Sequence, residues 1–130
     1  MEAAIPVGEA AAMLGVSPDT VRRLADSGRL KSSRAAGGRR RIDGADLARL
    51  MTETSPQSGE RRQRRSARNS FPGIVTRVTK DRVAAQVEVQ AGPFRVVSLL
   101  TREAVDELKL EPGVRVIAQV KATNVVIELP

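Results

Sequence analysis

Apolar positions recur along this chain in two rhythms. Up to about Met51 the spacing is helical. Gly8–Leu14 offers Ala10, Ala11, Met13 and Leu14 as one apolar face, which Gly15 brings to an end. Ser17-Pro18-Asp19 has the chemistry of a helix start: a serine cap, proline at the first helical position and an acid in the first turn. The helix it opens reaches about Ser27, with Val21, Leu24 and Ala25 at core spacing, and Gly28 stops it. Arg29–Ile42 reads as a short hairpin turning at Gly37-Gly38. Asp43 then caps a third helix, Ala45–Met51, that buries Leu47 and Leu50.

Residues 52–65 (TETSPQSGERRQRR) contain no apolar side chain, and beyond them the period changes to two. Ile74, Val75 and Val78, then Val83–Val89, then Phe94–Leu99 read as strands rich in branched residues. Thr101 can cap one short helix, Arg102–Lys109, with Val105 and Leu108 facing inward. Pro112-Gly113 is a turn, Val114–Val120 alternates, and Asn124–Leu129 supplies a last strand. The expected fold is therefore α+β in two domains. A small winged helix-turn-helix over 1–51 and a basic polar linker over 52–65 precede an OB-like β-barrel with one short helix over 66–130.

Composition narrows the chemistry. The 130 residues contain no cysteine and no histidine. That removes disulfides, thiolate and imidazole metal sites, and the Ser-His and Cys-His nucleophile arrangements. No motif argues for an enzyme, a cofactor or a bare metal cation. Two phenylalanines are the only aromatic residues, which disfavours the stacking platforms of single-strand and RNA binders. No apolar run has the length of a membrane span and no leader pattern opens the chain, so the expectation is a cytoplasmic protein. The net charge of +7 is uneven: residues 1–65 hold 13 basic against 8 acidic side chains (+5), and residues 66–130 hold 9 against 7 (+2). The polyanion-facing excess lies in the first half.

In that half, a turn at Gly15-Val16-Ser17 projects the N-terminal part of the second helix. Ser17, Asp19, Thr20, Arg22 and Arg23 can then reach a major groove. Between Arg29 and Arg41 stand six basic residues and no acid. Arg34, Arg39, Arg40 and Arg41 suit phosphates or an adjacent minor groove. The plainer alternative is a three-helix packing unit with solvated arginines. The string Ser17, Thr20, Val21, Arg22, Arg23, Leu24, Gly28, Leu30 resembles the MerR and excisionase families over Ile5–Met51. The resemblance implies recognition of double-stranded DNA.

In the second half, donors without nearby carboxylates fit a tetrahedral dianion. Ser66-Ala67-Arg68-Asn69 supplies a hydroxyl, a guanidinium and an amide; Thr101 adds a hydroxyl, Lys121 an ammonium, and small Ala122 lets an anion approach the backbone. Singly, these are ordinary linker residues, a helix cap and an edge-strand charge. SARNSFPGIV, LLTREAVDELKLEPG and VIAQVKATNVVIEL together resemble the Mop (molbindin) domain, a TOBE-like relative, over Ser66–Leu129. The resemblance implies that molybdate or tungstate is held between subunits by residues matching Ser66, Ala67, Arg68, Thr101, Lys121 and Ala122. It further implies dimers formed by strand exchange, with dimers assembling three at a time into hexamers. Dedicated molybdate regulators often carry two such domains in tandem and a different winged helix, so their operators do not transfer to this chain. The expected function is a molybdate- or tungstate-responsive transcription regulator. Two alternatives stay open: a storage or buffering protein, and an excisionase-like architectural DNA binder with a Mop-like scaffold.

Overall fold

The computed structural model describes residues 3–54 and 66–130. The chain divides into two compact units, Met1–Ser58 and Gly59–Pro130. No helix among the described residues is long and apolar enough to cross a membrane.

The first unit runs β1 (Ala4–Pro6), α1 (Val7–Leu14), α2 (Pro18–Asp26), β2 (Ser32–Arg34), β3 (Arg40–Asp43) and α3 (Gly44–Thr54). Local chemistry sets its corners. Gly15 adopts φ 71°, where only glycine sits without cost, and turns the chain out of α1. Ser17 Oγ accepts the Thr20 N–H at 3.2 Å and Pro18 opens α2. Asp43 Oδ2 accepts the Asp46 N–H at 3.3 Å at the head of α3. Ala10, Ala11, Val21, Leu30, Ile42, Leu47 and Leu50 form one buried cluster.

Three features differ from the sequence expectation. Met13 is 52% exposed. The seats facing the core are Ala10, Ala11 and Leu14, and Met13 lies roughly 100° around the helix from their mean direction. Ala4–Pro6, which carries no periodic signal, pairs antiparallel with β3 and completes a sheet of order β1-β3-β2. The third helix continues to Thr54, its polar end held by Thr52 and Thr54 hydroxyls donating to the carbonyls of Ala48 and Leu50. Residues 55–65 of the expected linker lie outside the described residues.

The second unit is a curled antiparallel sheet, a half-barrel, of β4 (Asn69–Lys80), β5 (Ala84–Ala91), β6 (Phe94–Thr101) and β7 (Arg115–Val120), with α4 (Arg102–Leu108) between β6 and β7. The sheet order is β6-β5-β4-β7. The first half of β4, residues 69–74, pairs with β7, and its second half, 74–80, pairs with β5. The register shifts between Val75 and Arg77 where one partner gives way to the other. Such a bulge bends the strand, which curls the sheet. The concave face packs Val75, Ala85, Val87 and Val89 against Val105 of α4.

Two expectations fail here. Leu108 is 64% exposed. The helix ends there, Lys109 turns left-handed at φ 54°, and Leu110 packs inward in its place. Asn124–Leu129 forms no strand with any of the described residues. After a 3-10 turn at Ala122–Asn124 the segment makes no ladder, and Val126, Ile127 and Leu129 are 83–90% exposed. One chain offers β7 a single neighbour, β4, so the described sheet has four strands in place of the expected five.

Two predictions follow from this packing. A Cβ on Gly73 would stand 2.4 Å from the Gln90 carbonyl oxygen, so Gly73→Ala must push β4 from β5. Urea unfolding of the full chain should show the C-terminal unit destabilised by about 1–3 kcal/mol. In the first unit, the Lys31 backbone N–H at 2.7 Å and the Arg49 guanidinium hold the Asp46 carboxyl below the ordinary carboxylate range. A depressed folded pKa contributes stability above the unfolded value, and that contribution disappears as pH falls through the folded one. The urea midpoint lost on Asp46→Asn should therefore be largest near neutrality and shrink between about pH 5 and about pH 2. An equal loss across that range would show that the charge does not matter.

Candidate functional site

The N-terminal half of α2 presents a pre-ordered polar face. Ser17 Oγ lies 2.9 Å from Thr20 Oγ1, and Arg23 Nη2 donates to that same Thr20 oxygen at 3.2 Å. Arg22 Nη1 pairs with Asp19 Oδ1 at 2.8 Å. These pairs sit at i,i+3 and lie largely in solvent, so each contributes only a few tenths of a kcal/mol and can exchange its partner for a ligand.

The hairpin turns through Gly37 and Gly38, both at positive φ (91° and 80°). Arg34 Nη1 donates to the Gly38 carbonyl at 2.8 Å and closes the turn. The guanidinium groups of Arg39 and Arg41 make no hydrogen bond or ion pair among the described residues. Arg22, Arg34, Arg39, Arg40 and Arg41 converge with the first turn of α1 on a cleft of 620 Å³. The fold thus gathers the hairpin arginines and Arg22 on one concave surface, while Ser17, Asp19, Thr20 and Arg23 lie off its lining. Asp26 also lines this cleft. The sequence reading passed over it, since an acid at the end of a basic helix carries no local signal.

The second candidate site is divided. Asn69 is in register with Val120, and Asn69 Nδ2 donates to the Val120 carbonyl at 2.9 Å. Ser66-Ala67-Arg68 immediately precedes this pair and Lys121-Ala122 immediately follows it. Five of the six oxyanion candidates therefore meet at one end of the β4–β7 edge, with only Ala67 partly buried. Thr101 lies elsewhere. It pairs with Ala84 on β6, the opposite edge strand, at the end of the sheet where Lys80 pairs with Ala85. From Asn69 to Lys80 is eleven residue steps (80 − 69) along β4, on the order of 30 Å of strand. Thr101 Oγ1 also accepts the Ala104 N–H at 3.1 Å as the cap of α4. One chain does not bring Thr101 to Arg68 and Lys121.

An apolar cleft of 280 Å³, with Val87, Val96, Leu100, Leu108, Leu110 and Val116 in its walls, opens along the concave face of the sheet. In the sequence Val87, Val96 and Val116 read only as strand positions and Leu108 as an inward-facing helix position, while Leu100 and Leu110 are not singled out.

Comparisons with known proteins fit this division into two units. Residues 65–127 match the TOBE domain family and residues 7–55 match a helix-turn-helix domain family. Molybdenum-pterin-binding protein 3 of Clostridium pasteurianum is 35% identical over 63 residues, 48% of this chain and 93% of that protein. Molybdenum-pterin-binding protein 2 of the same organism is 36% identical over the same shares. Among solved structures, the cytoplasmic molybdate-binding protein ModG with molybdate bound is 37% identical, with a TM-score of 0.49, covering 51% of this chain and 48% of that one. The chain belongs, through its C-terminal half, to the TOBE-domain family that includes these molybdenum-pterin-binding proteins, and it carries a helix-turn-helix domain ahead of that half. Neither matched family is an enzyme family.

The cap geometry gives a prediction for Thr101 that needs no ligand. In oxyanion-free buffer, Thr101→Ala should cost about 1 kcal/mol of unfolding free energy, and Thr101→Ser should retain most of it. Equal stability of Thr101→Ala and the parent chain in urea titrations would remove the capping role.

Proposed function

We propose that this chain is a cytoplasmic, oxyanion-responsive DNA-binding regulator. Its C-terminal unit binds molybdate or tungstate between copies of the chain, and its helix-turn-helix unit reads double-stranded DNA. The observation that carries the reading is the joining, on one chain, of an arginine-lined helix-turn-helix surface to a domain whose relatives are named for molybdenum-pterin and molybdate binding.

The divided site supports binding between copies. Ser66, Ala67, Arg68, Lys121 and Ala122 supply one side, and Thr101 of a second copy supplies the other. The exposed apolar segment Val125–Leu129 and the open apolar cleft support exchange of that segment between copies, which would extend the sheet of each. Dimers built this way, three to a hexamer, would present several identical DNA readers. The anion then alters DNA affinity only by binding one arrangement of those readers better than another.

Ser17, Thr20 and Arg23 form one row on α2 with Asp19 and Arg22 beside it, and these face base edges. Arg34, Arg39 and Arg41 meet phosphates. A storage protein would need the oxyanion site but not the basic cleft, and an architectural DNA binder would need the reverse.

Calorimetric titration of the full chain with molybdate, tungstate and sulfate tests the reading. Molybdate and tungstate should bind saturably with sulfate silent, and Arg68→Ala and Lys121→Ala should each weaken binding at least about tenfold, the loss of one charged hydrogen bond. Unchanged affinity in both variants would overturn the assigned site. Silence of all three anions would leave the architectural reading, and tight anion binding with no DNA affinity would leave storage.

A further inference from the structure

Arg40 stands apart from its neighbours in the hairpin. Side chains on β3 alternate, so Arg40 shares a face with Ile42, which is fully buried in the core cluster. That face looks toward the helices. The Arg40 side chain is 23% exposed, and its Nη1 donates to two groups of α2: Asp26 Oδ1 at 2.8 Å and the Arg22 carbonyl at 3.3 Å. Asp26 lies in the last turn of α2, where the helix dipole is negative and a cation is favoured. Asp26 is the last residue of that helix. A carboxylate there opposes the dipole and stands in a cleft whose other charged lining residues are all arginines, where it would repel a phosphate. Its place is accounted for by the guanidinium it holds.

We propose that Arg40 is a positioning residue that docks the basic hairpin onto α2 through Asp26 and the Arg22 carbonyl. It carries no phosphate contact of its own. Arg39 and Arg41, one residue to either side, remain to meet the polyanion. This one nitrogen and its two acceptors fix the angle between the hairpin and the helix that carries Arg22 and Arg23, so the two DNA-facing surfaces reach the duplex in one register. This deepens the DNA-binding reading and rests on it.

Positioning and contact differ in sign. Asp26→Asn removes a negative charge from a DNA-facing cleft, so simple electrostatics makes binding tighter, whereas loss of the dock makes it weaker. They also differ in salt dependence: losing a phosphate contact lowers the slope of log K against log salt by about 1, and losing a positioning group leaves it unchanged.

The experiment takes the full chain and a labelled duplex that it has selected from a random-sequence pool, with affinities measured over a salt series. Arg40→Ala and Asp26→Asn should each weaken binding about tenfold at an unchanged salt slope, and the double variant should be no weaker than Arg40→Ala. Arg41→Ala should lower the slope by about 1. Amide hydrogen exchange without DNA should show residues 32–43 deprotected alike in Arg40→Ala and Asp26→Asn. A lowered slope in Arg40→Ala together with tighter binding by Asp26→Asn would overturn the proposal and make Arg40 a contact. If no duplex is selected, the DNA-binding reading falls. In that case unchanged hairpin exchange in both variants would still overturn the dock.

Discussion

The handover within β4 governs the C-terminal unit. One strand of 12 residues serves β7 with its first half and β5 with its second, and the register shift between them bends it. Curvature lets a four-stranded sheet wrap α4 and bury Val105 against Val75, Ala85, Val87 and Val89. Gly73 belongs to the same constraint, since the close approach of the Gln90 carbonyl leaves no room for a Cβ where the two partners meet. The same strand decides where the residues of the proposed oxyanion site stand. Its start lies beside the end of β7, so Arg68 and Lys121 converge, while the far end of the sheet carries Thr101 away from them.

Both units are small for their apolar content, and the two meet this differently. The first closes seven residues, drawn from all three helices, β3 and the segment between α2 and β2, into one cluster. The second leaves apolar surface uncovered: Phe94, Leu99, Leu108, Val126, Ile127 and Leu129 are each at least 64% exposed. Apolar surface left open on a domain with little core to spare favours association. In the proposed assembly, burying it and completing the divided oxyanion site are one event, which ties ligand binding to oligomer geometry.

In the first unit the arginines divide by role. Arg34 closes the hairpin turn, Arg40 reaches back to α2, and the guanidinium groups of Arg39 and Arg41 line the cleft with no hydrogen bond or ion pair among the described residues. A dense run of basic residues is therefore not a uniform electrostatic patch. All four line one cleft, but the hydrogen bonds of Arg40 to α2 set it apart as a strut.

What the sequence by itself determined is what short-range chemistry controls. The serine and threonine caps at Ser17 and Thr101, the left-handed glycine at Gly15, the Gly37-Gly38 turn and the change of period from 3.6 to 2 each act within about four residues. They place α1, α2, the hairpin and three of the four strands of the second unit close to where the structure has them. The family resemblance was legible because its motifs are likewise contiguous. Tertiary structure alone decided the rest. β1 is three residues long and exists only because β3 offers an edge. Met13 and Leu108 are apolar but lose their core seats to Leu14 and Leu110. Asn124–Leu129 has the composition of a strand and no strand partner among the described residues. The Arg40–Asp26 pair spans 14 residues and the Asn69–Val120 bond 51. Contacts at such separations depend on where a curled sheet and a turned hairpin carry the backbone, and no local pattern of residues encodes that.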